Sequence, residues 1–267
     1  MPTFELLEIS LYLLTGAFAG LLAGLLGVGG GLFIVPVLLV ILPLVGVDAT
    51  HLMTICVATS LCTIVVTSIS SLIAHQKHQA ILWPVFRQFL PGIILGSFIG
   101  SYIADSISEQ VLTNLFAVSV ILIAFKMMFK LQLGTVTELP KTAKLIMVGS
   151  FIGGLSTMIG IGGGSLTVPI LSYWKTPIVK AIATSAACGL PIAFSGTIGF
   201  IIVGFGQTNL PAFSSGYVYW PAVLGIIITS VIFAPIGAKL AHKISAPLLS
   251  KTFAAFLLVV GTKVLLN

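Results

Sequence analysis

The sequence predicts an all-α membrane protein of two inverted repeats, each a broken-helix re-entrant hairpin followed by three transmembrane helices. Three observations carry that prediction: an apolar composition, a duplicated glycine motif and the distribution of positive charge. Of 267 residues, 58% are hydrophobic and only 7% charged, and the mean hydropathy is +1.21. Soluble domains carry about a quarter charged residues, so a multi-pass membrane protein is the class that fits.

The duplication sets the architecture. "GVGGGLFIVPVL" at Gly27 to Leu38 returns as "GIGGGSLTVPIL" at Gly160 to Leu171, and "ATS" at Ala58 to Ser60 returns at Ala183 to Ser185. Trp83-Pro84, Ile99-Gly100, Phe116-Ala117 and Lys126 return as Trp220-Pro221, Ile236-Gly237, Phe253-Ala254 and Lys263, all at one offset of 137 residues. The repeats are therefore placed at 1–130 and 144–267, with a connector at 131–143 on the cytoplasmic side.

Taken in order, each copy opens on an apolar stretch holding the glycine cluster, expected to run as helix, break and helix. Three segments of spanning length follow. In the first copy these are roughly 52 to 74, 83 to 104 and 111 to 129, and in the second roughly 178 to 204, 218 to 238 and 248 to 266. Positive charge decides whether the glycine stretch crosses, because cytoplasmic connectors are enriched in Lys and Arg. A single crossing would put Lys77 and Arg87 opposite Lys239, Lys243 and Lys251. A hairpin that returns to its own side instead gathers Lys77, Arg87, Lys126, Lys130, Lys141, Lys144, Lys175, Lys180, Lys239, Lys243 and Lys251 inside and leaves Glu5, Glu8, Asp48, Asp105 and Glu109 outside, with only Lys263 and Glu138 on the less expected sides. Three crossings after each hairpin invert the second copy relative to the first, as in many secondary transporters.

The glycines are where chemistry is expected. Non-helical backbone is tolerated at membrane depth only when buried in protein or lining an aqueous cavity. Gly29, Gly30 and Gly31 and their counterparts Gly162, Gly163 and Gly164 are read as broken-helix tips, with helices restarting near Leu32 and Ser165. A restarted helix presents unpaired N–H groups and the positive end of its dipole, which together attract an anion without a charged side chain. Thr59, Ser60, Thr184 and Ser185 occupy matched places in the following spans, and Ser165 and Thr167 sit at the second restart, so a shared polar pocket is expected. Gly16, Gly20 and Gly24, and Gly92, Gly96 and Gly100, recur every four residues and read as packing faces instead.

Several classes are set aside. No strand or βαβ unit surrounds either glycine cluster, which excludes a dinucleotide fold. Twelve Lys and Arg against six Asp and Glu form no basic patch interleaved with aromatics, so no nucleic acid is expected. Cys56, Cys62 and Cys188 lack metal or disulfide spacing and read as packing residues, and no metal or cofactor is expected. No Asp or Glu lies deep in a span to partner a Ser, Thr or Cys nucleophile, so an intramembrane enzyme is not expected. Glu5 and Glu8 precede the first apolar run where a secretory signal would be basic, and no cleavage is expected.

The paired GxGGG…VP motifs, the Thr-Ser dipeptides, the length and the two-fold repeat resemble the TauE/SafE family over nearly the whole chain. That resemblance implies a transporter of sulfite, sulfonates or related small anions across the cytoplasmic membrane, without fixing which anion. Export is the direction expected, since carrying one negative charge out of a negative cytoplasm gains about 2.3 kcal/mol per 100 mV. A passive anion channel and a non-transporting accessory protein are the alternatives.

Overall fold

A computed structural model describes residues 6–26, 30–47, 49–77, 79–129, 142–241 and 246–266. Gly29 of the expected site, Asp48 and most of the connector lie outside these residues. The described chain is helical throughout except for turns and one two-residue strand pair. Its helices are α1 (Leu6–Leu26), α2 (Gly31–Leu44), α3 (Leu52–Lys77), α4 (Trp83–Ser106), α5 (Glu109–Phe129), α6 (Thr142–Ile159), α7 (Gly164–Tyr173), α8 (Ile178–Val203), α9 (Trp220–Ala241) and α10 (Ala246–Leu266). Among the described residues seven helices, namely α1, α3, α4, α5, α6, α8 and α9, are long and apolar enough to cross a membrane.

The glycine clusters interrupt the chain where expected, and the helices restart at Gly31 and Gly164, one residue earlier than the sequence reading. Each restart is preceded by a glycine in left-handed conformation, Gly30 at φ 76° and Gly163 at φ 75°. A side chain there costs about 1–2 kcal/mol, which is why glycine stands at both. Downstream, α4 and α9 both begin on Trp-Pro, where proline has no helical donor to lose. One segment departs from helix: the residues before α9 form β1 (Ser214–Ser215) and β2 (Val218–Tyr219), an antiparallel pair that delays α9 to Trp220.

The two halves exchange partners. Helix α4 packs along α6, and a Cβ on Gly92 or Gly96 would overlap the carbonyl oxygen of Ile146 or Ser150, while one on Gly100 would lie 2.6 Å from that of Gly154. The pair α1 and α9 repeats the device: a Cβ on Gly16 would overlap the Ile226 carbonyl oxygen, and one on Gly20 would lie 2.5 Å from that of Ser230. These glycines bring helix backbones together, as their spacing predicted. At the centre α3 crosses α8 antiparallel, with Leu61 opposite Gly196 and Ser68 opposite Gly189.

The bundle has an acidic end and a basic end. At the acidic end the Tyr219 and Tyr12 hydroxyls donate to Glu8 (2.8 and 3.1 Å), and Tyr217 donates to Asp105. Glu109 there accepts from the Met53 amide at 2.8 Å and from Thr54 Oγ1 at 2.6 Å, capping the start of α3. Burial and the neighbouring carboxylates push the Tyr217 and Tyr219 phenols above their ordinary range, so both remain donors. His51 lies against Tyr217 with ring centroids 5.4 Å apart. At the other end α6 begins beside α4, where Thr142 donates to Gln88, and α7 finishes with Trp174 stacked on Phe89. The second hairpin thus returns to the end it left, as does the first, which runs from Glu8 back to the Glu109-capped start of α3.

Candidate functional site

The two glycine breaks meet. A Cβ on Gly31 would lie 2.6 Å from the Gly160 carbonyl oxygen, 2.7 Å from Ile64 Cδ1 and 3.3 Å from Ile161 Cα. One on Gly162 would lie 2.9 Å from Ile64 Cγ2, and one on Gly189 would lie 2.6 Å from the Gly162 carbonyl oxygen. Ile64 and Gly189 stand near the midpoints of α3 and α8, at matched places in the two copies. Backbone from both halves therefore converges where the two long central helices cross.

What the breaks expose is polar backbone. Only the third and fourth amides of each restarted helix find the capping carbonyl: Phe33 and Ile34 donate to Gly30, and Leu166 and Thr167 donate to Gly163. Among the described residues the Gly31, Leu32, Gly164 and Ser165 amides have no backbone acceptor. Pro36 and Pro169 add to this, because neither can donate to the carbonyl four residues back. The residues gathered here are Gly, Ser, Thr, Val and Ile, none of them charged.

The expected hydroxyls divide into two groups. Thr59 Oγ1 accepts from the Tyr219 amide at 3.1 Å, and Thr184 Oγ1 accepts from the Leu82 amide at 3.0 Å. Tyr219 and Leu82 are matched positions directly before the two Trp-Pro helix starts, so the threonines clasp the opposite half by one bond used twice. Ser60 likewise donates to the Gly160 carbonyl across 3.0 Å, holding the second break against α3. The second group has no partner: Ser185, Ser165 and Thr167 are buried hydroxyls without a hydrogen bond, joined by Ser156 and Thr157 at the end of α6. A buried hydroxyl left unpaired costs about 1–3 kcal/mol, and Ser97, Ser172 and Ser214 share that state.

Ile64, Gly189 and the Ser156-Thr157 pair were not among the expected site residues. An aliphatic residue in an apolar helix carries no local mark, whereas Ser156-Thr157 precedes the second break where Ala23-Gly24 precedes the first, a visible difference between the copies. Cys56, Cys62 and Cys188 are unpaired and buried in the core, in keeping with small packing side chains.

Comparison with known proteins identifies the family. The family model described as sulfite exporter TauE/SafE matches residues 12–264. A probable membrane transporter protein of Haemophilus influenzae is 40% identical over 97% of this chain and 98% of its own. One from Methanocaldococcus jannaschii is 28% identical over 98% and 97% of the two chains, and one from Bacillus subtilis is 24% identical over 94% of each. No solved structure matches. With a glycine-broken helix pair in each half and a family match across nearly its whole length, the chain belongs to the sulfite exporter TauE/SafE family and is a multi-pass membrane transporter.

Proposed function

We propose that the protein is a secondary transporter that exports a small anion across the cytoplasmic membrane by alternating access, with the anion held where the two glycine breaks meet. The observation that carries this reading is that the two breaks meet beside Ile64 at the middle of α3, each followed by a helix whose first two amides have no backbone acceptor among the described residues. Each helix start contributes about half an elementary positive charge, so two together offset about one negative charge with no Lys or Arg present. Gly30, Gly31, Gly163, Gly164 and Ser165 are the proposed ligands, with Gly162, Ser60 and Ser185 shaping the pocket and Thr59 and Thr184 clasping the halves around it. The exchanged helix pairs, the antiparallel crossing of α3 and α8 and the hairpins that return to opposite ends support inverted repeats that rock about this point.

Substrate counterflow in liposomes tests the proposal, using sulfite and short sulfonates as the anions. Gly163→Ala should abolish counterflow while the protein still inserts and purifies as a folded species, because the left-handed tip is forced out of shape. Gly96→Ala should instead lower stability, with normal counterflow per folded molecule, since its Cβ would meet only the α6 backbone. Equal activity per folded molecule in both variants would return the breaks to a packing role, and unitary currents in voltage-clamped bilayers would make the protein a channel.

A further inference from the structure

The segment between α8 and α9 is buried, although it only connects two helices of spanning length. Connecting segments usually run over the surface, yet Tyr217, Val218 and Tyr219 are 1%, 0% and 5% exposed. The chain enters this strap through Phe213 at φ 64°, a left-handed angle that a bulky side chain holds only under constraint. The constraint comes from the first copy. The Tyr219 hydroxyl donates to Glu8 of α1, the Tyr219 amide to Thr59 of α3, and the Tyr217 hydroxyl to Asp105 of α4. Helix α1 is packed on α9 and α4 on α6, so the strap joins one helix pair to the other. Because α3 starts at the acidic end and Thr59 precedes Ile64 along it, Tyr219 sits between that end and the place where the breaks meet.

The matched segment at the basic end lacks this fastening. Leu82 repeats the amide bond, to Thr184 at 3.0 Å, but Ala80 and Leu82 stand where Tyr217 and Tyr219 do, and neither has a hydroxyl to donate. We propose that residues 214–219 are the outer gate of the transporter, latched by the Tyr217–Asp105 and Tyr219–Glu8 bonds, and that the inner gate has no such latch. This rests on the alternating-access reading above. Parting the α1–α9 pair from the α4–α6 pair at the acidic end requires one of the two phenol–carboxylate bonds to break. A bond to a carboxylate holds more firmly than the amide-to-hydroxyl bond that both ends share. Without substrate the outer gate therefore stays shut and the inner one opens first. An exporter needs that order, because it collects its anion from the cytoplasm.

Labelling by an impermeant maleimide in intact cells tests the latch, with Cys62 and Cys188 replaced by alanine so that Cys56 alone reports. Cys56 stands one turn before Thr59 on α3 and is fully buried. Tyr217→Phe should raise its labelling rate about tenfold or more over the parent, because the bond removed is to a charged acceptor. Thr184→Val, which removes the matched amide bond of the inner end, controls for lost stability and should not raise the rate. Asp105→Ala should match Tyr217→Phe and add little to it, since both delete one bond. Asp105→Asn keeps an acceptor oxygen and should recover most of the protection, and these two variants decide the matter even if Tyr217→Phe fails to fold. Labelling in Tyr217→Phe or Asp105→Ala no faster than in the parent or in Thr184→Val would overturn the latch. Counterflow of sulfite in liposomes reads the transport proposal separately: exchange with unchanged labelling removes the latch alone, whereas the expected labelling without exchange keeps the strap as a lid and removes the transporter.

Discussion

Replacing Thr59 by Val probes the bond that ties the acidic-end strap to the central helix. Valine keeps the shape of threonine but removes the Oγ1 that accepts from the Tyr219 amide at 3.1 Å. Thr59 is fully buried, and Tyr219 is 5% exposed, so water cannot replace the lost acceptor. The cost is then the penalty of an orphaned amide, about 1–3 kcal/mol, rather than the smaller net worth of an exchanged hydrogen bond. For a chain of this size about 1 kcal/mol lowers the thermal midpoint by about 2–4 °C. Thermal unfolding of the detergent-solubilised protein measures this directly. Thr184→Val should behave alike, since its Oγ1 accepts from the Leu82 amide at 3.0 Å, and the two effects should add because they share no partner. Thr59→Ser retains an oxygen and should recover most of the loss. A serine variant as unstable as the valine variant, or a valine variant as stable as wild type, would refute the reasoning.

Two further perturbations check other parts of the architecture. Gly162→Ala should impair folding or transport, because its Cβ would meet Ile64 Cγ2 at 2.9 Å and no other atom closer than 4.0 Å, so adding Ile64→Ala should restore much of what was lost; a double variant no better than the single one would mean that the contact is not what requires glycine. Impermeant thiol reagents should reach Thr50→Cys and Ser108→Cys in intact cells and Lys180→Cys only after permeabilisation; labelling of Thr50→Cys and Lys180→Cys from one side would remove the inverted topology.

The helices and their order were legible because local signals mark them. Glycine clusters, Trp-Pro starts and apolar length placed α3 to α5 and α8 to α10 within a few residues of the structure, the largest departures being three residues at the ends of α3 and α9. The spacing of Gly92, Gly96 and Gly100 announced a close partner but could not say which, since a small-residue face is complementary to any backbone. That α4 receives α6, and α1 receives α9, is a property of the assembled bundle. The hydroxyls were ambiguous for a related reason. A threonine in an apolar helix looks the same whether its oxygen faces a ligand or a backbone amide of the other half, and Thr59 and Thr184 have the second arrangement. Leu82 and Tyr219 gave no sign of it, because the donor in each bond is main chain. Ile64 was invisible among other aliphatic residues, and its position only acquires meaning once both breaks are seen to touch it.

The exchange of partners between halves has a consequence for how the protein is made. Helix α1 ends at Leu26 and its partner α9 does not begin until Trp220. At about 5–20 residues per second, synthesis leaves α1 waiting about 10–40 seconds in the membrane before the backbone that fits Gly16 and Gly20 exists. Helix α4, by contrast, ends at Ser106 and meets α6 from Thr142 onward, a delay several times shorter. During the longer interval the first helix has its small-residue face covered only by lipid or by the insertion machinery, so the nascent chain is most exposed to mispairing and quality control early in synthesis, well before either glycine break has found the other.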